Sequence, residues 1–96
     1  MRQTNEQPLK EVIHELLSKY KLQEKLNEKR LINSWEMLMG KVIAKRTKEL
    51  SLKDKKLFIK LTSSTLRQEL SFSKEKIITL LNDEVGEKIV EEIVLI

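Results

Sequence analysis

The sequence predicts an α+β fold in which helices cover one face of a small sheet. Apolar residues recur at helical spacing in the first part of the 96-residue chain, which is typical of amphipathic helices. The period changes to two in two short runs near the middle, which is typical of strands. Helical spacing then returns, and a final run rich in Ile and Val indicates a closing strand. The predicted order is therefore α-α-β-β-α-β, with a three-stranded sheet.

Two helices are predicted before the sheet. The first covers Pro8–Tyr20, where apolar residues follow an i, i+3, i+4, i+7 pattern and the proline suits the first turn. The second covers Gln23–Met39 and has a wide apolar face, as expected for a helix between two neighbours. We place the break between them near Lys21 and Leu22, although no glycine or proline marks it.

A β-hairpin is predicted after these helices. Gly40 indicates a bend, and alternation then begins in the segment Glu49–Lys53 and resumes in Lys56–Thr62. Asp54 and Lys55 lie between the two runs as a tight turn with a Lys-rich tip. In the second strand the apolar residues at every other position would face the core, and the residues between them would face outward.

The remainder of the chain predicts a helix and a closing strand. Ser63–Thr65 supply hydroxyls that can cap a helix, and helical spacing of apolar residues follows them. Asn82 and Gly86 are the signals for its end. The segment Lys88–Ile96 is the predicted last strand.

Length and composition favour a single domain over residues 1–96, with 1–7 as a flexible lead. There is no cysteine, so the sequence has neither a disulfide framework nor a thiolate metal site. The polar beginning does not resemble a signal peptide, and no run of residues is apolar enough to span a membrane. We therefore expect a cytoplasmic protein.

Charge is distributed unevenly around a net value of +4. The segment 41–60 holds eight bases and two acids, whereas 83–96 holds five acids and one base. A basic segment attracts phosphates without sequence-specific contacts, although a charged segment is often only a solvated face. The residues that we expect to contact nucleic acid are Lys41, Lys45, Arg46, Lys48, Lys53, Lys55 and Lys56.

No pattern in the sequence predicts catalysis. His14 is the single histidine, and it has no partner at a fixed spacing. Ser63 and Ser64 lack a nearby base that would make either a nucleophile, so capping is the better interpretation. We predict a protein that is not an enzyme, with no metal, cofactor or small-molecule substrate.

The aromatic residues admit more than one interpretation. Trp35 falls within the apolar stripe of the second helix, so core packing is favoured over an interface role. Phe58 and Phe72 lie off the inward faces of their elements. They could stack on bases beside the Lys-rich hairpin, or cover apolar surface elsewhere.

An ordered set of segments resembles the DciA family. Trp35 and Gly40 have a W-x-x-x-x-G spacing, with Ile43-Ala44 and Thr47 just beyond. They are followed by Leu57-Phe58-Ile59, Ser63-Ser64-Thr65-Leu66-Arg67-Gln68-Glu69-Leu70 and Leu81-Asn82-Asp83-Glu84-Val85-Gly86. The resemblance covers nearly the whole chain, from about Leu9 to Ile93.

This resemblance implies a KH-like domain that helps load the hexameric replicative helicase onto DNA. Such a protein would bind the helicase and, weakly and in a salt-dependent way, single-stranded DNA. The residues after Gly40 do not form the GXXG loop with which KH domains clamp a nucleic-acid backbone, so another surface must make that contact. Two alternatives stay open: a KH-like RNA-binding module in translation or RNA processing, and a pure protein-interaction domain.

Overall fold

A computed structural model describes residues 6–96, with side chains from residue 8 onward. Most of the predicted flexible lead lies outside these residues. The elements, in chain order, are α1 (Glu6–Met39), α2 (Lys41–Arg46), β1 (Thr47–Lys53), β2 (Lys56–Leu61), α3 (Ser64–Ser71), α4 (Lys74–Val85) and β3 (Glu92–Leu95). The predicted α+β class with helices packed against a three-stranded sheet is confirmed.

The sheet is mixed and has the order β1-β2-β3. β1 and β2 form the predicted antiparallel hairpin, with Leu52 opposite Leu57 and Ser51 opposite Phe58. β3 lies parallel to β2 on its other side, with Ile93 beside Leu57. Antiparallel neighbours joined by a short turn and a parallel neighbour joined through helices are the expected connections for each type of pair.

The core lies between the helices and one face of the sheet. The sheet contributes buried residues from each strand, and α1, α3 and α4 contribute the opposing layer. This burial follows the period of two in β2, because its alternate residues are enclosed while those between them are half-buried or exposed. The buried apolar side chains are Leu31, Trp35, Leu52, Leu57, Ile59, Leu61, Leu70, Ile77, Leu81, Ile89, Val90 and Ile93.

The two helices predicted before the sheet are one continuous helix. α1 contains 34 residues, which corresponds to about 50 Å of helix. The predicted break at Lys21 and Leu22 is wrong because both residues favour helix and nothing there interrupts the backbone bonds. Only the second half of α1 contributes to the core, so the first half projects beyond the sheet and the molecule measures 63 × 24 × 20 Å.

The single helix predicted after the hairpin is divided into α3 and α4. Ser63 caps α3 by accepting a 3.2 Å hydrogen bond from the Leu66 amide. α3 ends at Ser71, and Ser73 is the N-cap of α4. The Ser71 hydroxyl donates to the Gln68 carbonyl at 2.5 Å, so it competes for a backbone acceptor at the end of α3, whereas the Ser73 side chain makes no cap hydrogen bond.

β3 is shorter than the predicted strand because a side chain from α4 occupies the amides that precede it. The Asn82 Oδ1 atom accepts hydrogen bonds from the amides of Ile89 and Val90, at 3.0 and 2.9 Å. Its Nδ2 atom donates to the Val90 carbonyl at 2.9 Å. Asn82 thus fixes the entry into β3.

Gly86 ends α4 with φ of 81°, a left-handed conformation that glycine adopts without strain.

Candidate nucleic-acid interface

The seven predicted phosphate-contacting residues are all exposed, but the structure separates them into two groups. One group lies on and just after α2, and the other lies at the tip of the β1–β2 hairpin. β1 contains seven residues, so its ends are about 20 Å apart. The α2 group is Lys41, Lys45, Arg46 and Lys48, and the tip group is Lys53, Lys55 and Lys56.

The outer face of the sheet connects these two groups. Lys56, Phe58 and Lys60 alternate with the buried residues of β2, so they lie on the face opposite the core. Lys53 lies beside Lys56 in the register of the hairpin. Phe58 is half-buried between Ser51 and Val94 on the neighbouring strands. We name Lys53, Lys56, Phe58 and Lys60 the outer-face strip.

Lys60 was not among the residues predicted from sequence, although a signal for it was present. It is exposed and lies two residues after Phe58 on β2. The period of two therefore places it on the outer face with Lys56. Lys60 is one of the eight bases counted in the segment 41–60, and a choice of residues by strand face would have kept it among the candidates.

Acids border the outer-face strip without neutralising it. Glu49 is opposite Lys60, and Glu92 is beside Lys56. Lys55 lies 3.9 Å from Glu91, measured from Nζ to Oε2, and both side chains are about half exposed. Exposed pairs of this kind contribute little and are screened by salt. The lysines therefore keep most of their capacity to attract phosphate.

The hairpin tip is fixed in position by α1. Asp54 and Lys55 have φ values of 51° and 63°, the left-handed pair expected in a type I′ turn. The amide of Asp54 donates to Glu24 Oε2 at 2.6 Å, and the amide of Leu52 donates to Glu28 Oε2 at 2.8 Å. Bonds between carboxylates and amides are among the stronger hydrogen bonds, so they hold the tip against the helix.

The α2 group is anchored through Trp35. The Trp35 Nε1 atom donates to Thr47 Oγ1 at 2.9 Å, and that hydroxyl donates to the Ile43 carbonyl at 2.7 Å. The chain of bonds connects α1, α2 and the start of β1. The Trp35 ring is only 4% exposed, which agrees with the core role favoured from sequence.

A second candidate surface lies on the projecting half of α1. Its apolar side chains recur at helical spacing on one side of the helix, and each of these residues is about half exposed or more. The first half of α1 contributes no side chain to the core, so these residues are available to a partner. We name this set the α1 apolar stripe: Leu9, Val12, Ile13, Leu16, Leu17 and Tyr20.

The residues considered for chemistry occupy ordinary positions. His14 is exposed on α1, and Ser63 acts as the cap of α3. Within residues 8–96, no three His, Cys, Asp or Glu side chains are grouped so as to hold a metal ion. No helix in the described part of the chain is long and apolar enough to cross a bilayer. What the geometry offers is a pair of candidate binding surfaces.

Comparison with known proteins gives one match. The family model described as "Dna[CI] antecedent, DciA" matches residues 8–95. No curated protein and no solved structure matches the chain.

Proposed function

Because this match spans nearly the whole chain, the protein belongs to the DciA family, and we propose from this premise that it is a non-enzymatic adaptor for helicase loading. It binds the hexameric replicative helicase and, more weakly, single-stranded DNA. It acts in the cytoplasm during the initiation of replication. The family match is the observation that carries this proposal, because membership supports a role in DNA replication and helicase loading.

The arrangement of the two surfaces supports an adaptor. The α1 apolar stripe lies on the projecting half of α1, whereas the outer-face strip lies on the sheet. A protein could therefore occupy one surface while a nucleic acid occupies the other. We assign the stripe to the helicase, because six large apolar side chains on one helix face suit a protein partner.

The cationic residues are assigned to the phosphates of a single strand. Lys53, Lys56 and Lys60 lie along one face of the sheet, with Phe58 between them. In this arrangement a base can stack on the Phe58 ring while neighbouring phosphates contact the lysine ammonium groups. The α2 group extends the positive potential beyond the end of the strip. Few cations and two bordering acids favour weak binding that depends on salt.

A strand-displacement assay tests the loading role. The host's replicative helicase unwinds a forked DNA coated with single-strand-binding protein, with and without this chain. We expect the chain to raise the unwinding rate. We expect the double variant Ile13→Asp with Leu16→Asp to lower that stimulation about tenfold, because buried charges prevent the stripe from docking.

The matched control is His14→Asp with Ser18→Asp, which places the same charges on the opposite side of α1. It should stimulate unwinding as the unchanged protein does. No stimulation by the unchanged protein would refute the loading role. Equal loss in both double variants would refute only the assignment of the stripe.

A further inference from the structure

The two edges of the sheet differ in how their backbone groups are satisfied. At the β1 edge, the amide of Leu52 donates to Glu28 of α1, and the amide of Asp54 in the adjoining turn donates to Glu24. These contacts occupy the end of the β1 edge next to the turn, and covered backbone groups of this kind hinder the pairing of an edge strand with another chain. β3 forms the opposite edge, where residues 8–96 supply no comparable acceptor.

The unpaired groups on β3 belong to Ile93 and Leu95. The amides of Glu92 and Ile96 donate to the carbonyls of Lys55 and Ile59, at 3.3 and 2.9 Å. Ladder bonds alternate along a parallel strand, so the residues between these positions direct their amides and carbonyls away from β2. Ile93 and Leu95 therefore present two donors and two acceptors at strand spacing.

These groups face a groove between β3 and α3. The groove has a volume of about 520 Å³, and Ser64, Arg67, Gln68 and Ser71 line its helical side. Lys74, the first residue of α4, lies at its border. The junction between the two helices carries Phe72, which is 82% exposed. The groove thus combines a free strand edge with two cations, Arg67 and Lys74, and one acid, Glu92 of β3.

Arg67 is incompletely satisfied. Its Nε atom is enclosed, and no described group accepts a hydrogen bond from it. An enclosed donor without an acceptor is unfavourable, and more so when the group is charged. A carboxylate entering the groove would pair with the guanidinium and allow it to turn until Nε also donates.

We propose that this groove binds an extended acidic segment of a partner protein by strand addition to β3. The backbone of the segment pairs with Ile93 and Leu95, and its carboxylates pair with Arg67 and Lys74. This site is distinct from the α1 apolar stripe. It adjoins the outer-face strip, because Glu92 and Val94 line the groove and lie beside Lys56 and Phe58. The inference does not depend on the loading role.

The geometry favours a peptide over the other occupants. A peptide backbone offers both donors and acceptors to the strand edge, whereas phosphates offer only acceptors and would leave the carbonyls of Ile93 and Leu95 unpaired. A second copy of this chain would bring its own α3 beside its β3. A single extended segment would place less bulk between β3 and α3 than a second copy of the chain would.

The test uses a fluorescein-labelled peptide of seven residues in which Glu and Val alternate. We expect saturable binding by fluorescence anisotropy, and about tenfold weaker binding to Arg67→Gln. The control Lys76→Gln removes a nearby exposed cation that does not line the groove, and it should bind as the unchanged protein does. Amide exchange followed by NMR should show new protection at Ile93 and Leu95 when the peptide is added.

Each other outcome would overturn the proposal. Absence of saturable binding, or equal binding by Arg67→Gln, would show that the groove does not hold an acidic strand. Dependence of oligothymidine binding on Arg67, without peptide binding, would identify a nucleic-acid groove instead. A dimer that Arg67→Gln dissociates, without peptide binding, would identify a second copy as the occupant.

Discussion

Replacement of Trp35 by alanine should lower the free energy of unfolding by about 3–5 kcal/mol, the usual cost of removing a large core aromatic. The ring is 4% exposed and packs in the main core. Its removal also leaves the Thr47 hydroxyl without its donor. A domain of this size has a total stability of about 5–14 kcal/mol, so the variant should lose a large part of it.

Urea denaturation followed by circular dichroism measures this effect. Met37→Ala is the control, because Met37 lies on the same helix and is 69% exposed. It should change stability by less than about 0.5 kcal/mol. A Trp35→Ala variant as stable as the Met37→Ala variant would contradict the role of Trp35 as the connection between α1, α2 and β1.

Reversal of charge on the outer-face strip should nearly abolish the binding of single-stranded DNA. The triple variant Lys53→Glu, Lys56→Glu and Lys60→Glu removes three phosphate contacts and adds three repulsions. We expect binding to labelled oligothymidine to weaken about 100-fold at low salt. Three lost phosphate contacts should also make the slope of log binding constant against log salt concentration about two units less steep.

The control carries the same change of net charge on the helical layer, with Lys10, Lys25 and Lys76 replaced by glutamate. All three are exposed and lie outside the outer-face strip. It should lose much less affinity, since screening limits the effect of distant charges. Equal loss in the two triple variants would show that net charge alone governs binding, and that the strip has no special role.

Much of the fold was predictable because local patterns and tertiary packing agree. The alternation around Leu57 and Phe58 correctly separated the core face of β2 from its outer face. The turn at Asp54–Lys55 and the end of α4 at Gly86 were also placed correctly. These features depend on backbone geometry over a few residues, which the sequence encodes directly.

The wrong predictions concern features that are determined by contacts between distant parts of the chain. The continuity of α1 through Lys21 and Leu22 could not be distinguished from two packed helices, because both arrangements have the same apolar spacing. For the same reason the first half of α1 was predicted as a separate helix, and its apolar residues were not recognised as an exposed stripe. The capture of the Ile89 and Val90 amides by Asn82 is a contact between distant groups, so the start of β3 was placed too early.

The candidate sites were predictable to different degrees. The residues chosen from the sequence include both ends of the basic surface but leave out Lys60, although it is one of the eight bases counted in the segment 41–60 and lies on the outer face of β2. The groove beside β3 carried no signal in the sequence. It depends on β3 lying at the edge of the sheet beside α3, and that position follows from the pairing of β3 with β2, whose residues are 36 positions apart in the chain.

The most direct test of the adaptor role is to immobilise this protein and measure whether it captures purified replicative helicase in the absence of DNA. Nuclease-treated components would be compared at low and high salt. We expect direct capture that persists at high salt, because burial of the α1 apolar stripe is hydrophobic and is not screened by ions. Capture that requires single-stranded DNA and disappears at high salt, or no capture at all, would contradict the proposal that this chain binds the helicase itself.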